Sequence, residues 1–233
     1  MDNYKNLSTF TGFSRQTLEY FWGAYLDNTK SFYENHKKLY LDHVKAPLQL
    51  LHQMLTPIAL EIDPQIDAIP TRCISRAFND FRYTGKLYPI KDYMYLHFCA
   101  SVTDTKLDTP GVFFSANYSH WSCGFSVYHA SNSGMAAFRR EILDHVEEFS
   151  KIACQINDAG ISLIGEEYKK DRYPEMPSLI KSYLNKKRFY LSVEYPTDHL
   201  LDSPAIVDEI TKIWRTLAPL YQFYYRALKR ERS

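Results

Sequence analysis

Tyr93–Ala100, YMYLHFCA, is the stretch on which the fold turns. Tyr93, Tyr95, His97 and Cys99 alternate with Met94, Leu96, Phe98 and Ala100, the period-two pattern of a strand with bulky residues on both faces. Residues 103–110, TDTKLDTP, read as a turn, and Gly111–Tyr118, GVFFSANY, as a second strand. His120-Trp121 mark a bend before a third strand, Cys123–His129, CGFSVYH. Connections this short join neighbouring strands that run in opposite directions, so the three form an antiparallel meander. Gly124 marks a bulge or a close backbone approach. Two further strands are expected at Ile161–Glu166 and Phe189–Tyr195.

Helices flank this sheet on both sides in the chain. Ser14 is placed to cap the first, with Phe13 and Leu18 at staple positions and Leu18, Phe21, Trp22, Tyr25 and Leu26 as its apolar stripe. Thr29 starts a second helix with Phe32, Leu39, Tyr40 and Val44 inward, and Pro47 should kink or restart it. The continuation to Leu60 turns Leu51, Met54 and Leu55 inward. Ser133 should cap a long middle helix with Met135, Phe138, Ile142, Phe149, Ala153 and Ile156 inward, ended by Gly160. Arg139, Arg140 and Glu141 read as its solvated face. A loop at 168–177 and a short helix at Leu179–Leu184 follow. Ser203-Pro204 opens the last helix, with Asp208 and Glu209 suited to its positive end. Its stripe is Ile206, Ile210, Ile213, Trp214, Leu217, Tyr221, Tyr224 and Leu228, with a kink expected at Pro219. Residues 1–12 are expected to be loosely held. No Gly/Ser/Pro-rich linker divides the chain, which predicts a single α+β domain over 1–233: a mainly antiparallel sheet packed against long N-terminal, middle and C-terminal helices.

Composition narrows the function classes. The chain has 233 residues, 45% hydrophobic and 24% charged, with a net charge of +1. That balance lacks the broad basic footprint of a general nucleic-acid binder, but leaves room for a local anion site. Aromatic residues make up 15%, including 19 tyrosines, whose apolar bodies and polar tips suit a cleft lining. Cys73, Cys99, Cys123 and Cys154 show no metal or CxxC spacing. There is neither a signal-peptide pattern nor a run of about 20 apolar residues. A cytoplasmic protein with reduced thiols is the expectation, with no membrane partner.

Positive charge gathers in Arg72–Lys91, RCISRAFNDFRYTGKLYPIK, where Arg72, Arg76, Arg82, Lys86 and Lys91 face one acid, Asp80. In a helical turn Arg76 and Asp80 pair four apart; in a strand Arg76, Asp80 and Arg82 share a face. Either way a carboxylate sits between guanidiniums. It can hold an arginine fork ready for a carboxylate or phosphate, or simply fix a loop through a structural ion-pair network. The order basic–x–x–x–Asp–x–Arg–aromatic, then Pro–x–Lys, resembles the core motif of domain-of-unknown-function family 2461. Arg76, Asp80, Arg82, Tyr83, Pro89 and Lys91 carry it. The flanks are similar too: Phe32-Tyr33 and the Tyr40…Pro47 spacing, Gly124–Ile142 with Arg139, and Tyr195–Leu228 with Leu217-Ala218-Pro219-Leu220. The chain departs from the pattern at Asn79, Lys86-Leu87 and Ile90, which puts any activity shared by the family in question here. The resemblance implies an architecture and no established activity.

No GxxxxGK[ST], GxGxxG, HExxH or GxSxG occurs, so standard phosphate-loop, zinc-protease and nucleophile-elbow chemistry is not indicated. Neither a cofactor nor a metal is called for. His36 and His43 make a weak metal pair, while His97, His120 and His129 could converge from neighbouring strands, and Cys123 reads as a buried thiol. Two functions remain. In the first, Arg76, Arg82, Tyr83, Lys91 and Arg139 grip an anionic small molecule, Tyr95 helps line the cleft, and Asp80 orients an arginine or serves as the base of a hydrolase or transferase. In the second, exposed tyrosines and arginines form a protein-interaction module. Convergent charges in a concave pocket would favour the first, a flat aromatic patch the second.

Overall fold

The computed structural model describes residues 9–80, 88–100, 108–128 and 130–232. It is a single α+β domain around an antiparallel sheet of strands β1 (Tyr93–Cys99), β2 (Thr109–Asn117), β3 (His120–Tyr128), β4 (Ser162–Ile164) and β5 (Tyr190–Pro196), in the spatial order β1-β2-β3-β5-β4. The meander is as expected, with Leu96 opposite Phe114 and Phe114 opposite Cys123. The bend assigned to His120-Trp121 lies earlier, because Asn117 Oδ1 accepts from the backbone of Ser119 and His120 and so turns the chain there.

Alternation sorts the strands onto two unlike faces. Met94, Leu96, Phe98, Val112, Phe114, Trp121, Cys123, Phe125 and Leu191 are buried on one. Tyr93, Tyr95, His97, Phe113, Ser115 and Ser126 stay partly open on the other. Gly124 lies on this second face, where a Cβ would stand 1.8 Å from the Leu191 carbonyl oxygen, so the close backbone approach read from the sequence is real.

The helices are α1 (Arg15–Leu26), α2 (Lys30–Asn35), α3 (Lys37–Tyr40), α4 (Ala46–Ile62), α5 (Pro70–Cys73), α6 (Asn132–Asp144), α7 (Val146–Asp158), α8 (Ser178–Leu184) and α9 (Ile206–Arg232). A π-helical turn, Leu41–Lys45, joins α3 to α4 ahead of Pro47. Helix α9 lies along the buried sheet face and also packs on α4 and α6. Every residue of its expected stripe is buried. The Trp214 indole donates to the Phe113 carbonyl at 3.1 Å, so the ring's one polar group is satisfied inside the core.

Five expectations are corrected. The buried face of α1 carries Thr17, Tyr20, Phe21 and Ala24, while Trp22, Tyr25 and Leu26 are exposed. Met54 of α4 is exposed too. The middle helix is two, α6 and α7, broken at His145, and its cap is Ser131, whose Oγ accepts from Gly134 N at 2.9 Å. Arg139 and Glu141 are buried rather than solvated. Within the segment expected to be loose, Phe10 is buried against Phe13, with ring centroids 5.5 Å apart. No helix among the described residues is long and apolar enough to cross a membrane.

Candidate functional site

Residues 74–79 are extended rather than helical. Ile74 bridges to Leu96 of β1, and Phe78 bridges to Ile90. Asn79 N donates to Pro89 O at 2.9 Å and Lys91 N to Ala77 O at 2.8 Å, so 77–79 and 89–91 form a small antiparallel ladder. Asn28, just after α1, clamps this ladder. Its Oδ1 accepts from Ile90 N at 3.0 Å, and its Nδ2 donates to Ile90 O at 3.0 Å and to Ala24 O at 3.1 Å. The Tyr33 ring meets Phe78 edge-on at 4.7 Å. The basic stretch is thereby held against the N-terminal helices.

Between these two parts lies a cavity of about 440 Å³. Its N-terminal helical wall presents Tyr33, Tyr40, Lys45 and Gln49, and its opposite wall Thr71 of α5 with Ser75 and Arg76 of the extended segment. Among the described residues no acidic side chain lines it, and neither Lys45 nor Arg76 makes an ion pair. The π-helical turn forms part of the helical wall. Such turns add a residue to one helical turn and recur at functional sites. Behind the wall Tyr20, Tyr33 and Tyr40 cluster, with Tyr20 and Tyr40 ring centroids 5.3 Å apart. Burial pushes all three phenols up from their ordinary value, Tyr20 and Tyr40 strongly. They stay neutral, and as donors they favour a negative guest. The buried Tyr20 hydroxyl has no hydrogen-bond partner among the described residues.

Arg76, Asp80 and Lys91 come together, as the sequence suggested. Lys91 Nζ donates to Phe78 O at 2.7 Å. Burial lowers the Lys91 pKa and the Arg76 charge lowers it further, while Asp80 opposes both. Arg76 and Asp80 are exposed at the edge of the site. Arg82 and Tyr83 lie outside the described residues, as does His129.

Arg139 is not brought to this cluster. Its Nε donates to Leu184 O at 3.0 Å and its Nη2 to Lys186 O at 2.6 Å, and the guanidinium carbon lies 5.3 Å from the centre of the Tyr168 ring. The histidines are occupied separately: His43 with Ser14, His36 with the Phe32 carbonyl, His97 with Ser126 and His120 with Asn117. Burial drives the Cys123 thiol far up, so it is an inert core thiol. Among the described residues no group of three or more His, Cys, Asp or Glu could hold a metal.

Sequence reasoning missed Lys45 and Gln49. With Leu41 they recur every four residues on one helical face, but nothing local shows that this face meets residues 70–78.

No curated protein matches the chain. Residues 16–223 match the family described as conserved hypothetical protein (DUF2461). That span runs from α1 to the second half of α9 and includes both walls of the cavity. With most of its length matched, the chain belongs to this family.

Proposed function

We propose that the chain binds a small molecule bearing a phosphate or carboxylate group in the cavity between the N-terminal helices and residues 70–78. The observation that carries this reading is the presence of Lys45 and Arg76 in one concave site with no acid among its described lining residues. Two cations that make no ion pair among the described residues, in a cleft with apolar walls, repel each other and attract an anion more strongly than they would in open water. Arg76 offers a planar fork and Lys45 a point charge, while Thr71, Ser75 and the tyrosines supply neutral donors. Leu41, Ile74 and Phe78 would cover the apolar part of the guest. Asp80 is the candidate base for a hydrolytic or transfer step, since its carboxylate stands near Lys91 at the rim.

A thermal-shift panel of sugar phosphates, nucleotides and dicarboxylates tests this. A ligand at about a hundredfold its Kd adds roughly 2.7 kcal/mol of apparent stability. The shift should disappear in Lys45→Ala and Arg76→Ala. Product assays on any ligand found, repeated with Asp80→Asn, then separate an enzyme from a binding protein.

One observation favours the interaction-module reading. Exposed Trp22 and Tyr25 cluster with the half-buried Tyr118, with Trp22 and Tyr118 centroids 4.9 Å apart and Trp22 and Tyr25 5.8 Å apart. Stable capture of a partner that Trp22→Ser abolishes, together with no anion effect on stability, would make this the better account.

A further inference from the structure

The open sheet face carries a second and larger concavity, of about 790 Å³, within the range of small-molecule sites. Residues 70–78 separate it from the first cavity: Arg72 borders the larger one, Thr71 and Arg76 the smaller. Its lining differs in kind. Tyr93 and Tyr95 stack on each other at 6.2 Å and 25°, and Phe113 and Tyr190 add further rings. Gly124 pairs across from Phe113 on this face and has no room for a Cβ. At Gly111 a Cβ would stand 2.6 Å from His97 Nε2, so its absence leaves space for the imidazole. There the His97 Nε2 meets Ser126 Oγ at 3.1 Å, a polar pair set among aromatic walls.

The charges at the rim are unbalanced. Arg72 is ion-paired with Asp67, but Arg188 at the opposite rim makes no ion pair among the described residues. Glu166, the acid among the described lining residues, is ion-paired with Lys187, whose hydrogen bond and charge hold its carboxyl below the usual range, with the Arg188 charge adding a smaller pull in the same direction.

We propose that this concavity binds a planar aromatic anion, its ring stacked among Tyr93, Tyr95 and Phe113 and its anionic group directed to Arg188. Tyrosine faces favour a flat ring over an aliphatic chain, since stacking adds to area burial. A guanidinium that makes no ion pair among the described residues suits a phosphate or carboxylate substituent. The same chemistry could come from a nucleotide or from an aryl carboxylate, and the two are separable by experiment.

Calorimetric titrations with adenosine monophosphate, 1-naphthoate and, as a control without a ring system, ribose 5-phosphate test the proposal. One of the two aromatic anions should bind saturably, and more tightly than ribose 5-phosphate to the same site. Tyr95→Ala and Arg188→Ala should each weaken it about tenfold or more, the scale of losing one stacking or charged contact. Arg76→Ala should leave this affinity unchanged, which separates the site from the smaller cavity. Circular dichroism melts check that both variants fold; should Tyr95→Ala fail to, Arg188→Ala alone decides. No binding of either aromatic anion at millimolar concentration, or binding indifferent to Arg188→Ala, would overturn the proposal. Loss of binding in Arg76→Ala alone would assign the ligand to the smaller cavity and overturn it equally.

Discussion

Two charged regions of this molecule use the same side chains to opposite ends. Along the seam of α6 and α9 every charge in the cluster has a partner. Arg139 donates to the carbonyls of Leu184 and Lys186. The buried Glu141 accepts from Arg226 and Arg230, each at 2.6 Å, and Arg226 turns its other edge to Glu148 at 3.0 and 2.7 Å. In the cavity beside α3 and α4, Lys45 and Arg76 face each other's surroundings with no ion pair among the described residues. Buried charges that hold structure together come already neutralised, because an unpaired one is costly to bury. Cations left uncompensated at a concave surface are what a binding site for anions requires. The same residue type, arginine, is therefore structural at 139 and a candidate for function at 76, and the neighbours make the difference.

Substitutions should separate the two regions, the seam showing large effects on stability and the cavity almost none. Trp214, in the core beneath the seam, sets the upper end. Trp214→Ala should cost about 3–5 kcal/mol in chemical denaturation, and a cost below about 1 kcal/mol would mean that α9 does not anchor the core. Arg139→Ala should cost about 2–4 kcal/mol, since it leaves two buried carbonyls without a donor. Arg139→Lys should recover only part of this, because one ammonium cannot reproduce the planar fork. An Arg139→Ala variant as stable as the wild type would break the contrast. Arg76→Ala, by comparison, should stay within about 0.5 kcal/mol of the wild type.

Titration sharpens the contrast: both groups make stability rise with pH, but the fold favours the charged form at Glu148 and disfavours it at Lys91. The hydrogen bond and charge of Arg226 hold the Glu148 carboxyl below its ordinary 4.5. Its contribution to stability is complete above that value and is lost as the pH falls through the lower folded value. Glu148→Gln should flatten this part of the acid limb. At Lys91 the fold instead disfavours the charged form. Burial, then the Arg76 charge, hold its ammonium below the ordinary 10.5. Between the lowered value and 10.5 the unfolded chain binds more protons than the folded one, so this group makes stability rise with pH across that window. In Arg76→Ala an NMR titration of Lys91 should move up toward 10.5, and no movement would show that the two cations do not sense each other.

The sheet and the last helix were plain in the sequence because each buries one clean face. YMYLHFCA alternates, and the stripe from Ile206 to Leu228 recurs at helical spacing against a polar remainder. Helix α1 was misread because its aromatic residues surround it: Tyr20 and Phe21 go inward, Trp22 and Tyr25 outward, and spacing alone does not choose. Arg139 and Glu141 were taken for a solvated face because charged residues usually are. Their partners, Leu184, Lys186, Arg226 and Arg230, are distant in sequence. The closeness of Arg76, Asp80 and Lys91 was legible because they are near neighbours in the chain. Lys45 was not, since the turn that faces it toward Arg76 is set by tertiary packing.

The most direct test is a calorimetric titration of the wild type and a Lys45→Ala/Arg76→Ala double variant with the sugar phosphates, nucleotides and dicarboxylates of the stability panel. Saturable binding of a phosphate or carboxylate ligand by the wild type, lost in a double variant that melts at the same temperature, is the predicted result. Equal affinity in both proteins, or no anion bound by the wild type, would contradict the assignment of this cavity as the functional site.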